Sequence, residues 1–204
     1  MQRCQTGRVQ ALIAILAGGH GTRLGGQKAS AKLAGRPLIS YPLAAALGSG
    51  HEVVVVAKAD TELPDLGQRL LREPAQPRHP LCGIVAGVRE AGGRPLVALA
   101  CDMPFVTAEL VAWLASLAEP LAVPCLDGRL HPLLARYDPS LLPGLESALA
   151  EDRPLRETVA SLDPREITDE ELGRFGDPKR LLINVNTATE LEAAEELAEP
   201  GRPR

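Results

Sequence analysis

The sequence predicts an α/β fold of the three-layer, Rossmann-like kind, with a mostly parallel sheet, helices on both faces and a small irregular or antiparallel excursion. Short apolar runs alternate with segments of helical periodicity along the 204 residues, and Pro and Gly separate them. The run Val53–Val56 has no polar alternation, which is typical of a strand covered on both faces. We expect one domain over residues 1–204, with residues 1–8 and 199–204 forming flexible tails.

The first part of the chain contains two apolar segments that predict buried strands. Val9–Ala17 (VQALIAILA) is short, apolar and ended by glycine, and Glu52–Ala57 (EVVVVA) has the same character. Between them, Ser40 can cap a short helix that has Leu43 and Leu47 on one face and ends at the next glycine. The expected order is therefore strand, helix, strand.

The next segments repeat this alternation. A helix is predicted from about Pro80 to the pair Gly92 and Gly93, and Pro95–Asp102 (PLVALACD) predicts a third buried strand that ends in a carboxylate. Thr107 can cap the helix that follows. Its inner face carries leucines at helical spacing: Leu110, Leu114 and Leu117.

The later part of the chain is less regular. We expect Leu121–Tyr137 to hold an antiparallel excursion, and the last helix to start at a capping box of Thr187 and Glu190. In doubly wound sheets, ligands bind beyond the carboxyl ends of the strands. The glycine-rich segment after the first strand and Asp102 after the third both lie there, so they are the first candidates for a site.

Composition argues against several classes of function. Only 2% of the residues are aromatic, so a stacking surface for single-stranded nucleic acid is not expected. No apolar run approaches the ~20 residues of a membrane span. The first ten residues lack an apolar signal core, so we expect a cytoplasmic location and no membrane partner. The four cysteines show no C-x-x-C spacing and are expected to be free thiols.

The net charge of −4 conceals an uneven distribution. Residues 1–51 contain no Asp or Glu, so the rest of the chain is more acidic than the net charge suggests. The cations of this first part are Arg3, Arg8, Arg23, Lys28, Lys32 and Arg36. Overall acidity argues against a nucleic-acid partner, whereas local cations beside glycines favour a small polyanionic ligand.

The glycine-rich segment LAGGHGTRLGGQKAS (Leu16–Ser30) matches neither of two common phosphate-binding motifs. Counted from Gly19 and Gly21, the third glycine of the dinucleotide fingerprint falls on Leu24. In the P-loop pattern, Gln27 stands where the lysine is required. Its glycines still let backbone N–H groups come close to an anion.

Several segments, in this order, resemble the MobA-type molybdenum cofactor guanylyltransferases. The glycine-rich segment, extended to Leu38, resembles L-A-G-G-x-x-x-R-M-G-x-D-K followed by L-x-G-x-P-L. HPLCGIVAGV, ALACDMPFVTAELV and INVNTATELEAA resemble the family segments G-P-L-A-G-I-x-A-G-L, C-D-M-P-F-L-T and N-V-N-T-P-E-D-L, and GRLHPLLARY fits the same set. The matches extend from Leu16 to about Leu197 and imply a fold like that of the nucleotide-diphospho-sugar transferases.

The resemblance implies an enzyme that transfers GMP from GTP to the molybdopterin-type cofactor, releasing pyrophosphate and forming the guanine dinucleotide cofactor. GTP and molybdopterin are the expected substrates, and proteins that deliver or accept the cofactor are expected partners. Mg²⁺ is the expected metal, because it prefers one or two carboxylates plus phosphate oxygens and water. Asp102 is its expected ligand, and Asn186 is expected to complete the metal or pterin-phosphate site.

The glycine-rich segment supplies the expected triphosphate contacts. Gly18, Gly19 and Gly21 would let backbone N–H groups approach the phosphates. Arg23 and Lys28 would neutralise the β and γ phosphates and the leaving pyrophosphate. Because two anions must meet in this reaction, charge neutralisation and alignment are expected to supply most of the catalysis.

Other residues are expected to contact the nucleoside and the pterin. The backbone of Leu16 and Ala17 can meet the base, and Glu73 stands at the place of a family Asp that could accept from guanine N1–H and the exocyclic amine. Lys58 is a candidate on the ribose side. His131 corresponds to a family position near the pterin.

The chain also departs from the family pattern, which leaves other functions open. Gln27 replaces an Asp, and His79 and Cys82 replace the glycine and alanine of G-P-L-A-G. The alternatives are a cytidylyltransferase or another nucleotidyltransferase with a different phosphorylated acceptor, a nucleotide-binding regulatory protein without turnover, and an NAD-dependent oxidoreductase.

Overall fold

A computed structural model describes residues 10–18 and 28–198. The predicted tails and residues 19–27 of the glycine-rich segment lie outside this part of the chain. Its strands are β1 (Leu12–Leu16), β2 (Lys32–Leu33), β3 (Arg36–Pro37), β4 (Glu52–Lys58), β5 (Leu70–Glu73), β6 (Leu96–Ala100), β7 (Leu121–Leu126), β8 (Arg129–Leu130), β9 (Leu134–Tyr137) and β10 (Arg165–Ile167). Its helices are α1 (Ser40–Gly48), α2 (Pro80–Glu90), α3 (Ala108–Ser116), α4 (Leu142–Ala150), α5 (Leu155–Ser161), α6 (Asp169–Leu172), α7 (Pro178–Leu181) and α8 (Ala188–Ala198).

The main sheet has the order β10-β7-β9-β6-β1-β4-β5, with β8 paired to β7, while β2 and β3 form a separate small hairpin. β1 runs parallel to β4 and β6, β4 to β5, and β7 to β10. β9 runs antiparallel to both β6 and β7. The prediction of a mostly parallel sheet with an antiparallel excursion in Leu121–Tyr137 is therefore confirmed.

Both faces of the sheet are covered, as the unbroken apolar runs predicted. Ile13 and Ile15 of β1 belong to one buried cluster, and Leu12 and Ala14 belong to the other. α1 and α3 pack together on the first face, and α2 and α4 on the second. Side chains of a strand alternate between the faces of its sheet, so each of these residues meets a helical layer.

The parallel register brings the carboxyl ends of three strands to one edge. Leu16 at the end of β1 lies opposite Val56 of β4 and Ala100 of β6. The segments that leave these strands, including Gly18 and Asp102, therefore start from the same edge of the sheet.

Two glycines of helix α2 face the sheet at positions where a side chain would meet the strands. A Cβ at Gly87 would lie 3.0 Å from both Cδ atoms of Leu96, and a Cβ at Gly83 would lie 3.1 Å from Cδ2 of Leu16. The small residues let the helix backbone approach the strands. The N-terminal end of α2 is thereby held near the carboxyl end of β1.

Several predicted helix ends are confirmed. Thr107 Oγ1 accepts from the backbone N–H of Leu110 at 3.2 Å. The capping box before α8 is present, because Thr187 Oγ1 accepts from Glu190 N at 3.2 Å and Glu190 Oε2 accepts from Thr187 N at 3.0 Å. These caps satisfy N–H groups that have no partner within the helix.

The prediction for α1 was wrong in two details. Ser40 is the first residue of the helix rather than its cap, and its hydroxyl donates to the carbonyl of Pro37 at 2.6 Å. Leu43 is buried, but Leu47 is 48% exposed, so the apolar face is shorter than expected. Within residues 10–18 and 28–198, no helix combines the length and apolar character needed to cross a membrane.

Candidate active site

Three separate segments meet at the carboxyl edge of the sheet. Lys28 begins a short 3-10 turn, Asp102 follows β6, and Asn186 lies just before α8. The Lys28 ammonium group forms an ion pair with the Asp102 carboxylate and donates to Asn186 Oδ1 at 2.6 Å. The structure thus brings together three residues that the sequence nominated for one site.

Two hydrogen bonds donated by backbone N–H groups hold the segment that carries Asn186. The N–H of Val185 donates to the carbonyl of Asp102 at 2.9 Å. Glu190 Oε2 accepts from the N–H of Asn186 at 2.6 Å. The N-V-N-T segment is therefore attached both to the residue after β6 and to the first turn of α8.

Two cavities open at this edge, and they share Lys28, Asp102 and Leu133. The first has a volume of about 290 Å³ and lies against the ends of β1, β4 and β5. Its further lining residues are Leu16, Gly18, Val56, Lys58, Glu73, Arg78, His79, Pro80, Gly83, Ala100 and Cys101. The second, of about 610 Å³, lies between β8, the start of β9 and α5.

The first cavity contains a buried ion pair. Lys58 and Glu73 are the last residues of β4 and β5 and lie opposite each other in the parallel register. The Lys58 Nζ is 3.4 Å from Glu73 Oε2 and donates to the carbonyl of Pro77 at 2.8 Å. Burial raises the pKa of the Glu73 carboxyl above its usual range, and the Lys58 ammonium group opposes this rise.

The backbone of Gly18 lies close to this pair. A Cβ at Gly18 would lie 3.4 Å from Cγ of Lys58 and 3.7 Å from Oε2 of Glu73, so a methyl group there would be in ordinary contact with both. Leu16 lines the same cavity, and its carbonyl accepts from the N–H of Cys101 at 3.2 Å. The N–H of Ala17 donates to Val56 at 2.8 Å, and Ala17 does not line either cavity.

The second cavity has charged walls of both signs. Arg129 and Arg156 line it together with His131, and the carboxylates of Asp102 and Glu157 line it as well. Burial and these two arginines lower the pKa of His131 to about 4, so its imidazole is neutral near pH 7. Two guanidinium groups and a neutral ring in one cavity suit an anionic ligand that also carries an uncharged part.

The remaining candidates fall into two groups. Gly19, Gly21, Arg23 and Gln27 lie outside the described residues. Lys32 and Arg36 are exposed and line neither cavity, and the Arg36 guanidinium lies 4.9 Å from the ring centre of Tyr41.

The family model for the MobA-like NTP transferase domain matches residues 13–166, which is more than half of the chain. The chain belongs to this family. Curated relatives agree with the assignment. A relative from Acidiphilium cryptum, named molybdenum cofactor guanylyltransferase, is 34% identical to this chain. The match covers 89% of this chain and 92% of the relative. Another with the same name, from Pseudomonas putida, is 33% identical over 83% of this chain and 94% of its own length.

Solved structures show that the MobA-like fold is shared. A molybdopterin-guanine dinucleotide biosynthesis protein A from Archaeoglobus fulgidus superposes with a TM-score of 0.78 at 26% identity, covering 92% of this chain and 98% of the other. A 2-C-methyl-D-erythritol 4-phosphate cytidylyltransferase from Thermus thermophilus has a TM-score of 0.69 at 21% identity, covering 93% and 98%. The resemblance noted in the sequence is thus confirmed, and so is the expected fold class.

In this MobA-like chain, sequence reasoning missed the role of His79. Its Nδ1 accepts from the backbone N–H of Leu81 at 3.1 Å, so it caps α2 where the family motif has glycine. A His directly before Pro at a predicted helix start was the available signal. Arg156 was also missed, because α5 is far from Asp102 in sequence and only the tertiary fold brings it to the second cavity.

The described residues offer no other obvious chemistry at this edge. Within residues 10–18 and 28–198, no group of three or more His, Cys, Asp or Glu side chains could hold a metal. Cys101 is buried, and burial raises the pKa of its thiol to about 12, so it is protonated near neutral pH. The junction of the two cavities therefore combines the Lys28 ammonium group, the Asp102 carboxylate and the Asn186 amide.

Proposed function

We propose that this protein transfers GMP from GTP to the phosphate of a molybdopterin-type cofactor, releasing pyrophosphate. The observation that carries the proposal is that two cavities meet at Lys28 and Asp102. One cavity would hold the nucleotide and the other the pterin. Relatives named molybdenum cofactor guanylyltransferase, over most of the chain, support this choice of substrates.

In the proposed reaction, an oxygen of the terminal phosphate of the acceptor attacks the α-phosphorus of GTP. The bond between the α-phosphorus and the α–β bridging oxygen breaks, and pyrophosphate leaves with that electron pair. No side-chain nucleophile is needed. Lys28 would neutralise the approaching and departing phosphates, and the cavity junction would align them.

Asp102 and Asn186 would hold a Mg²⁺ ion together with phosphate oxygens and water. The donor set fits, because magnesium is usually bound by one or two carboxylates and the phosphates of its substrate. When bound, the ion supplies Lewis-acid stabilisation of charge on the phosphates. Lys28 contacts both of these side chains, so its ammonium group can move to a phosphate oxygen when the oxygens of Asp102 are engaged elsewhere.

Arg129 and Arg156 would bind the anionic end of the acceptor. Both side chains line the second cavity, and Arg presents forked donors that match phosphate geometry. His131 would contact the acceptor as a neutral ring rather than act as a cation. We further propose a cytoplasmic location and contact with proteins that deliver or accept the cofactor.

The test is pyrophosphate release with Mg²⁺ and molybdate-loaded molybdopterin, comparing GTP, CTP and ATP in the wild type and Asp102→Asn. We expect release from GTP that requires the acceptor and falls by at least 100-fold in Asp102→Asn. If pyrophosphate is released faster from CTP than from GTP, the nucleotide substrate is CTP and the proposed use of GTP is wrong. Nucleotide binding without any release would favour the regulatory alternative.

A further inference from the structure

The Lys58–Glu73 pair lies where the nucleotide would enter the first cavity. Both side chains line that cavity, yet Lys58 is only 3% exposed and Glu73 only 7% exposed. Taking two charges out of water is costly, and a buried pair is not by itself a source of stability. Because both side chains line the cavity, the pair points to a ligand rather than to folding alone.

The hydrogen-bonding capacity of the pair is only partly used. The Lys58 ammonium group has three N–H donors, and it meets the carbonyl of Pro77 at 2.8 Å and Glu73 Oε2 at 3.4 Å. These two contacts use two of its three protons. An ionised carboxylate has about four acceptor positions, so Glu73 can accept further bonds while it faces Lys58.

The guanine edge presents a complementary pattern. Its O6 is an acceptor, while N1–H and the 2-amino group are adjacent donors. The family resemblance already nominates the Glu73 carboxylate to accept from N1–H and the 2-amino group. We propose that Lys58, paired with Glu73 and lining the same cavity, donates to O6 and is a second determinant of base specificity. This inference rests on the proposed use of GTP and assigns Lys58 to the base rather than to the ribose.

Other purines meet this pair less well. Adenine has an amino group at position 6, which would place N–H donors against an ammonium group, and it has no N1–H for the carboxylate. Hypoxanthine keeps O6 and N1–H but lacks the 2-amino group. A 6-thioguanine base keeps both donors and replaces O6 by sulfur, which accepts hydrogen bonds weakly. The last two bases therefore test Glu73 and Lys58 separately.

The experiment measures binding of GTP, ITP and 6-thio-GTP by calorimetry without acceptor, and kcat/KM with acceptor. For the wild type, we expect GTP to be preferred over 6-thio-GTP and over ITP by about 10- to 100-fold, as for a hydrogen bond to a charged group. In Lys58→Met, the preference over 6-thio-GTP falls to below threefold. In Glu73→Gln, the preference over ITP falls in the same way.

Arg78→Met is the matched control, because Arg78 is a cation that lines the same cavity and is paired with Asp60 on the outside. It is expected to weaken all three nucleotides equally and to leave both ratios unchanged. If Lys58→Met folds and keeps the wild-type ratio of GTP to 6-thio-GTP, the assignment of Lys58 is overturned.

A second variant covers the case in which Lys58→Met does not fold because Glu73 is left unpaired. The double variant Lys58→Met/Glu73→Met replaces the pair by apolar side chains of similar size, which buried pairs often tolerate. It is expected to bind all three nucleotides with ratios near one, whereas retained guanine preference overturns the proposal. If the wild type instead prefers CTP, the proposed use of GTP fails. If the wild type prefers GTP and Lys58→Met keeps that preference, only the assignment of Lys58 fails.

Discussion

The ion pair between Lys28 and Asp102 stands at the boundary of both cavities, with the two side chains only 15% and 8% exposed. Charges in such a partly desolvated place interact more strongly than they would at the surface. The same ammonium group donates to Asn186 Oδ1. One lysine thus connects the segment after the glycines, the end of β6 and the N-V-N-T segment.

Replacing Lys28 by Met should reduce kcat/KM for pyrophosphate release by about 100- to 1000-fold, because the phosphates lose their neutralising cation. Asn186→Ala should have a smaller effect, since Asp102 still holds the lysine. Lys179→Met, which removes an exposed lysine of α7, is the matched control and should retain wild-type kinetics. Wild-type turnover in Lys28→Met would contradict this role.

Gly18→Ala should raise KM for GTP at least tenfold while the urea midpoint of unfolding stays close to that of the wild type. The added methyl group would make contacts of 3.4 Å or more, so it causes no clash in the empty site. It would occupy the space beside Glu73 that the base needs. Steady-state kinetics give the KM for GTP, and urea titration of the same preparation gives the unfolding midpoint. An unchanged KM for GTP, or a large fall in the unfolding midpoint, would contradict this prediction.

Arg129→Gln and Arg156→Gln should each raise KM for the acceptor by about tenfold and leave the Kd of GTP unchanged. Both residues line only the second cavity, and each charge-assisted bond to a phosphate contributes more than a neutral one. Arg89→Gln removes an exposed arginine that is paired with Glu146, and it should alter neither constant. Weakened GTP binding in the two site variants would contradict the division between the cavities.

The imidazole of His131 should remain neutral down to about pH 4, as read from its ring proton shifts in NMR titrations. In the unfolded chain it takes up a proton near pH 6.5. The unfolded state therefore binds more protons between these values, and stability falls as pH drops through this range. His131→Asn should lose less stability over the same range. In Arg156→Gln the pKa of His131 should rise, because one repelling charge is removed.

Gly87→Ala should destabilise the protein by about 1–2 kcal/mol despite the higher helix propensity of alanine. The new Cβ would lie 3.0 Å from two Cδ atoms of Leu96, and overpacking in a core costs about 1–3 kcal/mol. Gly144→Ala in α4 is the comparison, because its Cβ would lie 3.3 Å from a single Leu162 atom. Urea titrations that rank Gly144→Ala as the more damaging change would refute the packing argument.

The strands and helices that carry an apolar run or a capping residue were predictable from the sequence. The strands that are defined only by hydrogen bonding to a neighbouring strand were not. The apolar runs gave β1, β4 and β6, and the caps at Thr107 and Thr187 gave helix starts. β5 (LLRE) has neither an unbroken apolar run nor alternation, so only its pairing with β4 defines it. The hairpin of β2 and β3 has two residues in each strand, which is too short for any periodicity.

The candidate site was predictable where residue type and strand end coincide. Asp102 follows this rule, Lys28 was nominated as a cation of the glycine-rich segment, and Asn186 was added by the family resemblance. The pairing of Lys58 with Glu73 depends on the register of β4 against β5, which the sequence does not encode locally. Arg156 required knowledge of where α5 packs, and Ser40 was misplaced because its hydroxyl bonds backward to Pro37.

The reversed direction of β9 gives the two cavities walls from different parts of the chain. Leu134 at its start lies beside Leu99 near the end of β6, so the residues that precede β9 reach the same rim as Asp102. The walls of the second cavity come largely from residues 129–157, whereas those of the first come mainly from residues before 103. If the second cavity holds the acceptor as proposed, substitutions within residues 129–157 would change acceptor choice without touching the walls of the nucleotide cavity that precede residue 103.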